Sequence, residues 1–286
     1  MNFPSDRTWL WMAAALYAVA FITSTTSMLR SKGRSHGLLL GLVIFGVMSQ
    51  TVGLYLRGME RDGCPIRNTF EVVQFVVWSV TLFYVVVGTA FRVSLLGYFT
   101  SGLAVAMSIV SLSIHSWDAQ ARPPVFGGVP WIEVHASFGL IAYGAFGTLA
   151  ITSLMFLLQT FSLKQKHLRG LFAFLPPIVA LEGINFRLLL TGLVVLTISI
   201  AVGGHYYRQD PESISGTKLV VATAVWFAYM AALALRLRRI LVSATLAWTC
   251  LVLFGFALIS LGPISRHREA STTAAPQDSN ATGVRP

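Results

Sequence analysis

Apolar runs of about twenty residues, repeated along the whole chain, leave this polypeptide few ways to fold. They fall at 8–28, 37–56, 69–91, 94–114, 134–160, 187–204, 217–235 and 240–262. A hydrocarbon layer about 30 Å thick is crossed by about 20 residues of helix. No water reaches that layer, so each backbone N–H and C=O must find its partner within the protein, and runs of this kind do so as α-helices. The expectation is an all-α, polytopic membrane protein of about eight transmembrane helices. Only 11% of the residues are charged, against about 25% in a soluble domain, and no stretch is long and polar enough for a second soluble domain. Residues 1–265 read as one integral-membrane unit. Residues 266–286, rich in Ser, Thr, Ala, Pro and Asn, read as a disordered tail.

The formal charge of +10 would suit nucleic acid if the bases lined one folded face. They sit instead in short groups between apolar runs, such as Arg30, Lys32 and Arg34, or Arg236, Arg238 and Arg239. That is the flanking pattern of membrane spans, and it points to a lipid bilayer and away from a nucleic-acid partner. Eight spans put both termini on one side. The loops after the first, third, fifth and seventh spans carry 11 of the 21 Lys and Arg residues, close to an even split. Of the acidic residues only Glu182 lies with them, and so does the densest basic loop, RLRR at 236–239. These loops are placed in the cytoplasm of a bacterial-type inner membrane, with both termini on the outer, periplasmic side. The first run lacks a small-residue cleavage site after a short apolar core and reads as a span, not a signal peptide. The stretch LFAFLPPIVALEGINFR at 171–187 differs from the others: Pro176 and Pro177 interrupt regular helix, and Glu182 and Asn185 are polar. It reads as an amphipathic segment lying in the membrane interface.

The histidines sort by side under this topology. His36 and His167 fall in cytoplasmic loops, whereas His115, His135, His205 and His267 stand at or just beyond the outer ends of four spans. Any one of them alone is most often a wet polar group at the interface. Together they offer axial ligation of haem iron, which accepts neutral imidazole on one or both faces. Spacing leaves open which two would meet. Zinc needs three or four close ligands, and the chain has neither HExxH nor a histidine pair at helical spacing. Cys64 and Cys250 form no CxxC and no CxxCH, so neither a thiol-redox motif nor covalent haem attachment is encoded.

Three stretches carry more specific patterns. CPIRNTFEVVQFVVWS at 64–79 has Asn68 at a helix start and Glu71 three positions on, the spacing of a capping box; a structural role and a binding role both fit it. WIEVHASFGLIAYGAFGTLAITSLMFLLQTFSLK at 131–164 pairs His135 with small residues that permit close helix approach. LPPIVALEGINFRLLLTGLVVLTISIAVGG at 175–204 contains a G-x-x-x-L-T core at 192–197. In this order they resemble the CcsA/CcmC/HemX family of cytochrome c assembly proteins over about 38–268. Pro65, Asn68, Glu71, Phe75 and Trp78 fall on the family's first pattern, and Trp131, His135, Tyr143 and Phe146 on its second.

The resemblance implies a protein that handles non-covalent, b-type haem. His135 matches the family's outer-side haem ligand, and His267 lies where the family carries a second, so this pair is implied as the metal ligands. The family's tryptophan-rich WWD segment is replaced here by GGHYYRQDPESISGTKL, which holds no tryptophan. Tyr206 and Tyr207 could still stack on a porphyrin, and Arg208 could pair with a propionate. Asp210 and Pro211 resemble the rest of that segment, and His205 is an alternative ligand. The match is therefore to the WWD-poor, HemX-like branch. It implies haem held at the outer face and passed to apocytochrome c or to a CcsB-like partner, which is delivery and not turnover. A HemX-like membrane regulator of haem biosynthesis, acting through the cytoplasmic loops, is the second reading. A small-molecule transporter is the third, though the spans lack the mid-membrane charges usual in transporters.

Overall fold

The computed structural model describes residues 5–29, 36–61, 63–91, 94–119, 130–165, 176–209 and 216–272. Among them the chain forms α1 (Asp6–Leu29), α2 (His36–Glu60), α3 (Thr69–Phe91), α4 (Ser94–Ser113), α5 (Ser116–Ala119), α6 (Pro130–Lys164), α7 (Ile178–Gln209), α8 (Gly216–Leu237) and α9 (Ser243–Thr272). Seven of these helices are long and apolar enough to cross a membrane, and α9 adds a shorter apolar stretch at Ser243–Leu258. The chain is thus an all-α, multi-pass membrane protein.

Short connections make successive long helices antiparallel. The starts of α1, α3, α6 and α8 therefore share one end of the bundle with the finishes of α2, α4, α7 and α9. Helices α1 to α4 pack as one group and α6 to α9 as another, joined mainly where α3 lies on α6. Of the seven candidate spans α6 is the most enclosed and α8 the least buried. The α3–α6 seam is a backbone contact: a Cβ at Gly144 would run into the main chain of Ser79. Gly192 of α7 likewise accepts the ring of Phe146, which stacks on Tyr229 with centroids 3.8 Å apart and planes 5° from parallel. Lipid offers no hydrophobic drive between helices, so close packing of this kind and interhelical hydrogen bonds hold the bundle.

Two polar layers bind the first group. In the deeper one Tyr17 Oη donates to Gln50 Oε1 at 2.9 Å, Gln50 Nε2 donates to Gln74 Oε1 at 2.8 Å, and Gln74 Nε2 donates to Ser111 Oγ at 2.8 Å. One chain of bonds so joins α1, α2, α3 and α4.

The second layer, nearer the end that carries the histidines, centres on Arg57, whose side chain is only 4% exposed. Its Nε donates to Glu71 Oε1 at 2.7 Å, its Nη1 to Asp6 Oδ2 at 2.6 Å, and its Nη2 pairs with Asp118 of α5. Arg61 Nη1 adds an ion-pair contact to Glu71 at 3.0 Å, without hydrogen-bond geometry. The guanidinium also lies 4.8 Å from the centre of the Phe70 ring. Glu71 has a second task. The Asn68 side chain caps α3 by accepting the Glu71 N–H at 2.8 Å, and Glu71 in turn accepts the Arg67 N–H at 2.6 Å. An arginine in the last turn of an apolar run reads as a flanking base, yet here its planar fork satisfies three carboxylates from three elements.

Helices α6 and α7 are much longer than their apolar runs. Helix α6 covers 35 residues and α7 covers 32. In α7 the expected interfacial stretch becomes, from Ile178 onward, the opening of one continuous helix, while residues 166–175 lie outside the described set. The physical reason is that proline suits a helix start, where its missing N–H costs nothing; the carbonyl of Pro177 accepts the N–H groups of Ala180 and Leu181. Glu182 is accommodated by an ion pair with Arg236 of α8. The tail boundary expected at residue 266 falls within α9, and residues 273–286 lie outside the described set.

Replacing Arg57 by alanine removes the one guanidinium that bonds all three carboxylates, leaving only the outer contacts of Arg61 and Arg7, and should cost about 3–5 kcal/mol, read as a lower unfolding midpoint in detergent micelles. Lysine at this position should recover only part of the loss, because one ammonium cannot reproduce the fork. An unchanged midpoint for the alanine variant would show that the cluster carries no stability.

Candidate functional site

The first turns of α6 place Glu133, His135 and Ser137 in sequence, and the helical repeat sends them to different neighbours. Glu133 and Ser137 hold the 63–68 loop. Glu133 Oε2 accepts the Cys64 N–H at 3.1 Å, and Ser137 Oγ donates to the Glu133 carbonyl at 2.7 Å. The Cys64 thiol then donates to Ser137 Oγ, 3.1 Å away. Burial pushes the Cys64 thiol above its ordinary pKa; the Ser137 hydroxyl opposes this, and the negative charges of Glu133 and Glu71 add to it.

His135 turns to α7. Its Nδ1 lies 2.6 Å from the carbonyl oxygen of Ser199, and Ser199 Oγ returns a bond to the His135 carbonyl at 2.8 Å. A carbonyl only accepts, so Nδ1 carries a hydrogen, and in the neutral ring Nε2 is the nitrogen with the lone pair. Histidines that ligate metals almost always donate their other ring N–H to a carbonyl or carboxylate, which fixes the tautomer and raises ligand basicity. The ring is seated on Gly203, one helical turn beyond Ser199: a Cβ there would stand 2.6 Å from Nδ1 and 2.7 Å from Cε1. Only glycine leaves that space.

Helix register relates His135 to the His267 position. Tyr143 Oη donates to the Ala257 carbonyl at 3.4 Å, and Gly147 faces the Phe254 ring, so α6 and α9 run antiparallel. From that contact His135 and His267 lie eight and ten residues away toward the same end of the bundle, or about 12 and 15 Å of helix rise. The backbone at 267 is helical, and its side chain lies outside the described residues. His205, exposed on α7, stands half a turn from Gly203 and so on a different face from the His135 seat. Helix α7 reaches Gln209, so His205, Tyr206, Tyr207 and Arg208 belong to its last turns and not to a loop. Tyr207 is half-buried and Arg208 exposed; the Tyr206 side chain and all of Asp210 lie outside the described residues. His115 is exposed beyond α4, with Nδ1 3.1 Å from the Ser113 carbonyl oxygen.

Among the described residues no three His, Cys, Asp or Glu side chains converge as a metal cage. A haem iron, held by its porphyrin, needs at most two axial ligands from protein. The supports of His135 were hidden in the sequence: the acceptor is a backbone carbonyl, which has no residue signature, and Gly203 is one glycine in a chain with 24.

A multi-helix membrane protein that seats an oriented imidazole at one end of its bundle is the class these features define. The model of the family described as "Cytochrome C assembly protein" matches residues 66–265, and the chain belongs to that family. It is 24% identical to Protein HemX of Brevibacillus brevis over 76% of this chain and 83% of that one. It is 29% identical to the cytochrome c biogenesis protein CcsA of Gloeobacter violaceus over 56% of this chain and 46% of that one. It is 30% identical to Protein NrfI of Wolinella succinogenes over 61% of this chain and 19% of that one. The match therefore spans less than half of CcsA and about a fifth of NrfI.

Because its thiol titrates high, Cys64 should react with iodoacetamide near neutral pH more slowly than an exposed cysteine, with the rate still rising in alkaline buffer. Glu133→Gln removes one of the charges that raise it and should speed the reaction. Cys250, 1% exposed within α9, should stay unlabelled until the protein unfolds. Alkylation of Cys64 at the rate of a free thiol would contradict this environment.

Proposed function

We propose that this protein holds haem non-covalently at the outer face of a bacterial inner membrane and passes it to apocytochrome c, directly or through a CcsB-like partner. His135 supplies one axial ligand through Nε2, and His267 supplies the other from α9. The observation that carries this reading is the His135 Nδ1–H bond to the Ser199 carbonyl, because it leaves Nε2 in the form that iron takes. The family membership and the biogenesis role printed in the name of the CcsA relative point the same way. Haem itself is the cargo, b-type and unmodified, and the chain's part is to bind, orient and release it.

The neighbouring residues have corresponding tasks. Tyr206 and Tyr207 offer faces for the porphyrin, while Arg208 offers a guanidinium for a propionate, with Asp210 just beyond. His205 could take over iron during transfer, since it sits on the same helix end without sharing the His135 seat. The basic loops facing the cytoplasm and both termini facing outward complete the orientation.

Purified from haem-replete cells, the protein should show a low-spin, bis-histidine absorbance spectrum. His135→Ala and His267→Ala should each abolish most of that signal. Gly203→Val, which removes no ligand, should displace the His135 ring and weaken haem retention as well. A protein that stays colourless under haem-replete expression would sink the proposal. Loss of the spectrum in His205→Ala with His267→Ala unaffected would replace the proposed ligand pair.

A further inference from the structure

At the end of the bundle opposite His115, His135 and His205, the turn between α8 and α9 borders an open cavity of about 480 Å³ lined by Phe186, Arg236, Leu237, Arg239, Leu241, Val242 and Ser243. That volume lies in the range of small-ligand sites, about 300–1,000 Å³. Its wall has two kinds of surface. Arg236, Arg239 and the Ser243 hydroxyl supply donors, and Phe186, Leu237, Leu241 and Val242 supply apolar surface.

The charges at this end do not balance. Glu182 pairs with Arg236, and among the described residues it is the only carboxylate here, against the four guanidiniums of Arg187, Arg236, Arg238 and Arg239. Arg236 Nη1 also reaches toward the Leu241 carbonyl and Ser243 Oγ, 3.5 Å from each, which holds its head at the cavity. Arg239 has a left-handed backbone, φ 58°, a conformation that glycine adopts freely and an arginine does not. Ser243 opens α9, so the first amides of that helix and their positive dipole end lie at the same place. Beside the cavity Leu237, Ile240 and Val242 are more than 60% exposed, at a point where the chain leaves one span and enters the next.

We propose that this cavity binds the phosphate headgroup of an anionic phospholipid, whose acyl chains run along the exposed apolar residues beside it. Guanidiniums, a hydroxyl and helix-end amides are the donors that recognise a phosphate monoanion. The apolar wall and the exposed leucine, isoleucine and valine distinguish a lipid from a free phosphate, which needs neither. The position agrees: α8 is the least buried of the seven candidate spans. This site is independent of the histidine end and of the haem reading.

Native mass spectrometry of the full chain in detergent tests it, with phosphatidylglycerol and phosphatidylcholine of identical acyl chains and with inorganic phosphate alone. Phosphatidylglycerol should remain bound at about tenfold lower concentration than phosphatidylcholine. Arg239→Gly should lose most of that preference while its thermal midpoint is held or raised, because glycine fits the left-handed backbone. Ser243→Ala should lose a smaller part. Arg238→Gln, outside the cavity, should keep the preference. Equal binding of the two lipids overturns the proposal, as does retention of the preference in Arg239→Gly. An equal loss in Arg238→Gln would reduce the site to a diffuse basic surface, and displacement of the lipid by millimolar inorganic phosphate would reduce it to a free-anion site; either result overturns the proposal too.

Discussion

A guanidinium that cannot shed its proton, held at the edge of a lipid layer, has to be met by acceptors on all sides. Arg57 meets Asp6 from α1, Glu71 from α3 and Asp118 from α5. Removing one partner from such a cluster unbalances buried charge, so the cluster ties the four elements together. Glu71 couples this to local structure, because the carboxylate that pairs with Arg57 also closes the first turn of α3 with Asn68. The position of α3 then sets that of α6 through the contact of Gly144 with the Ser79 main chain. His135 rides on the first turns of α6. A sequence of physical contacts therefore runs from the ionic cluster to the imidazole.

The seat of His135 follows a different rule from that cluster. No charge is involved. One backbone carbonyl, one hydroxyl and the absence of one side chain fix the ring against α7. The ring is thus oriented without a titratable neighbour, with Nδ1 turned to the carbonyl and Nε2 left unbonded to it. At the opposite end, the α8–α9 turn has the reverse character, with guanidiniums in excess and apolar side chains laid open. The two ends of the bundle are therefore chemically distinct.

Much of the architecture was legible in the sequence, because lipid allows so few solutions. The run at 69–91 became α3 (Thr69–Phe91) without adjustment, and its cap was readable from Asn68 and Glu71. The run at 187–204 fared less well. Helix α7 begins nine residues earlier, at Ile178, since a proline pair can start a helix as well as end one and since Glu182 found Arg236 on another span. Partners in other segments are what local pattern cannot display. The same holds for Arg57, whose last-turn position looks like that of any flanking base, and for Gln50 and Gln74, which join only when α2 and α3 are packed.

Composition and periodicity alone determined that this chain is helical, spans a membrane many times and gathers four histidines toward one end, because apolar length and the alternation of spans are properties of the linear order. The motif order determined the family. Only the tertiary structure decided that Arg57 is buried among three carboxylates, that His135 donates to the Ser199 carbonyl over Gly203, and that two arginines and a serine line one cavity at the other end. Each of these depends on side chains and backbone groups 14 to 64 residues apart, or on space left where no side chain stands, and neither distance in three dimensions nor empty volume is written along a single strand of residues.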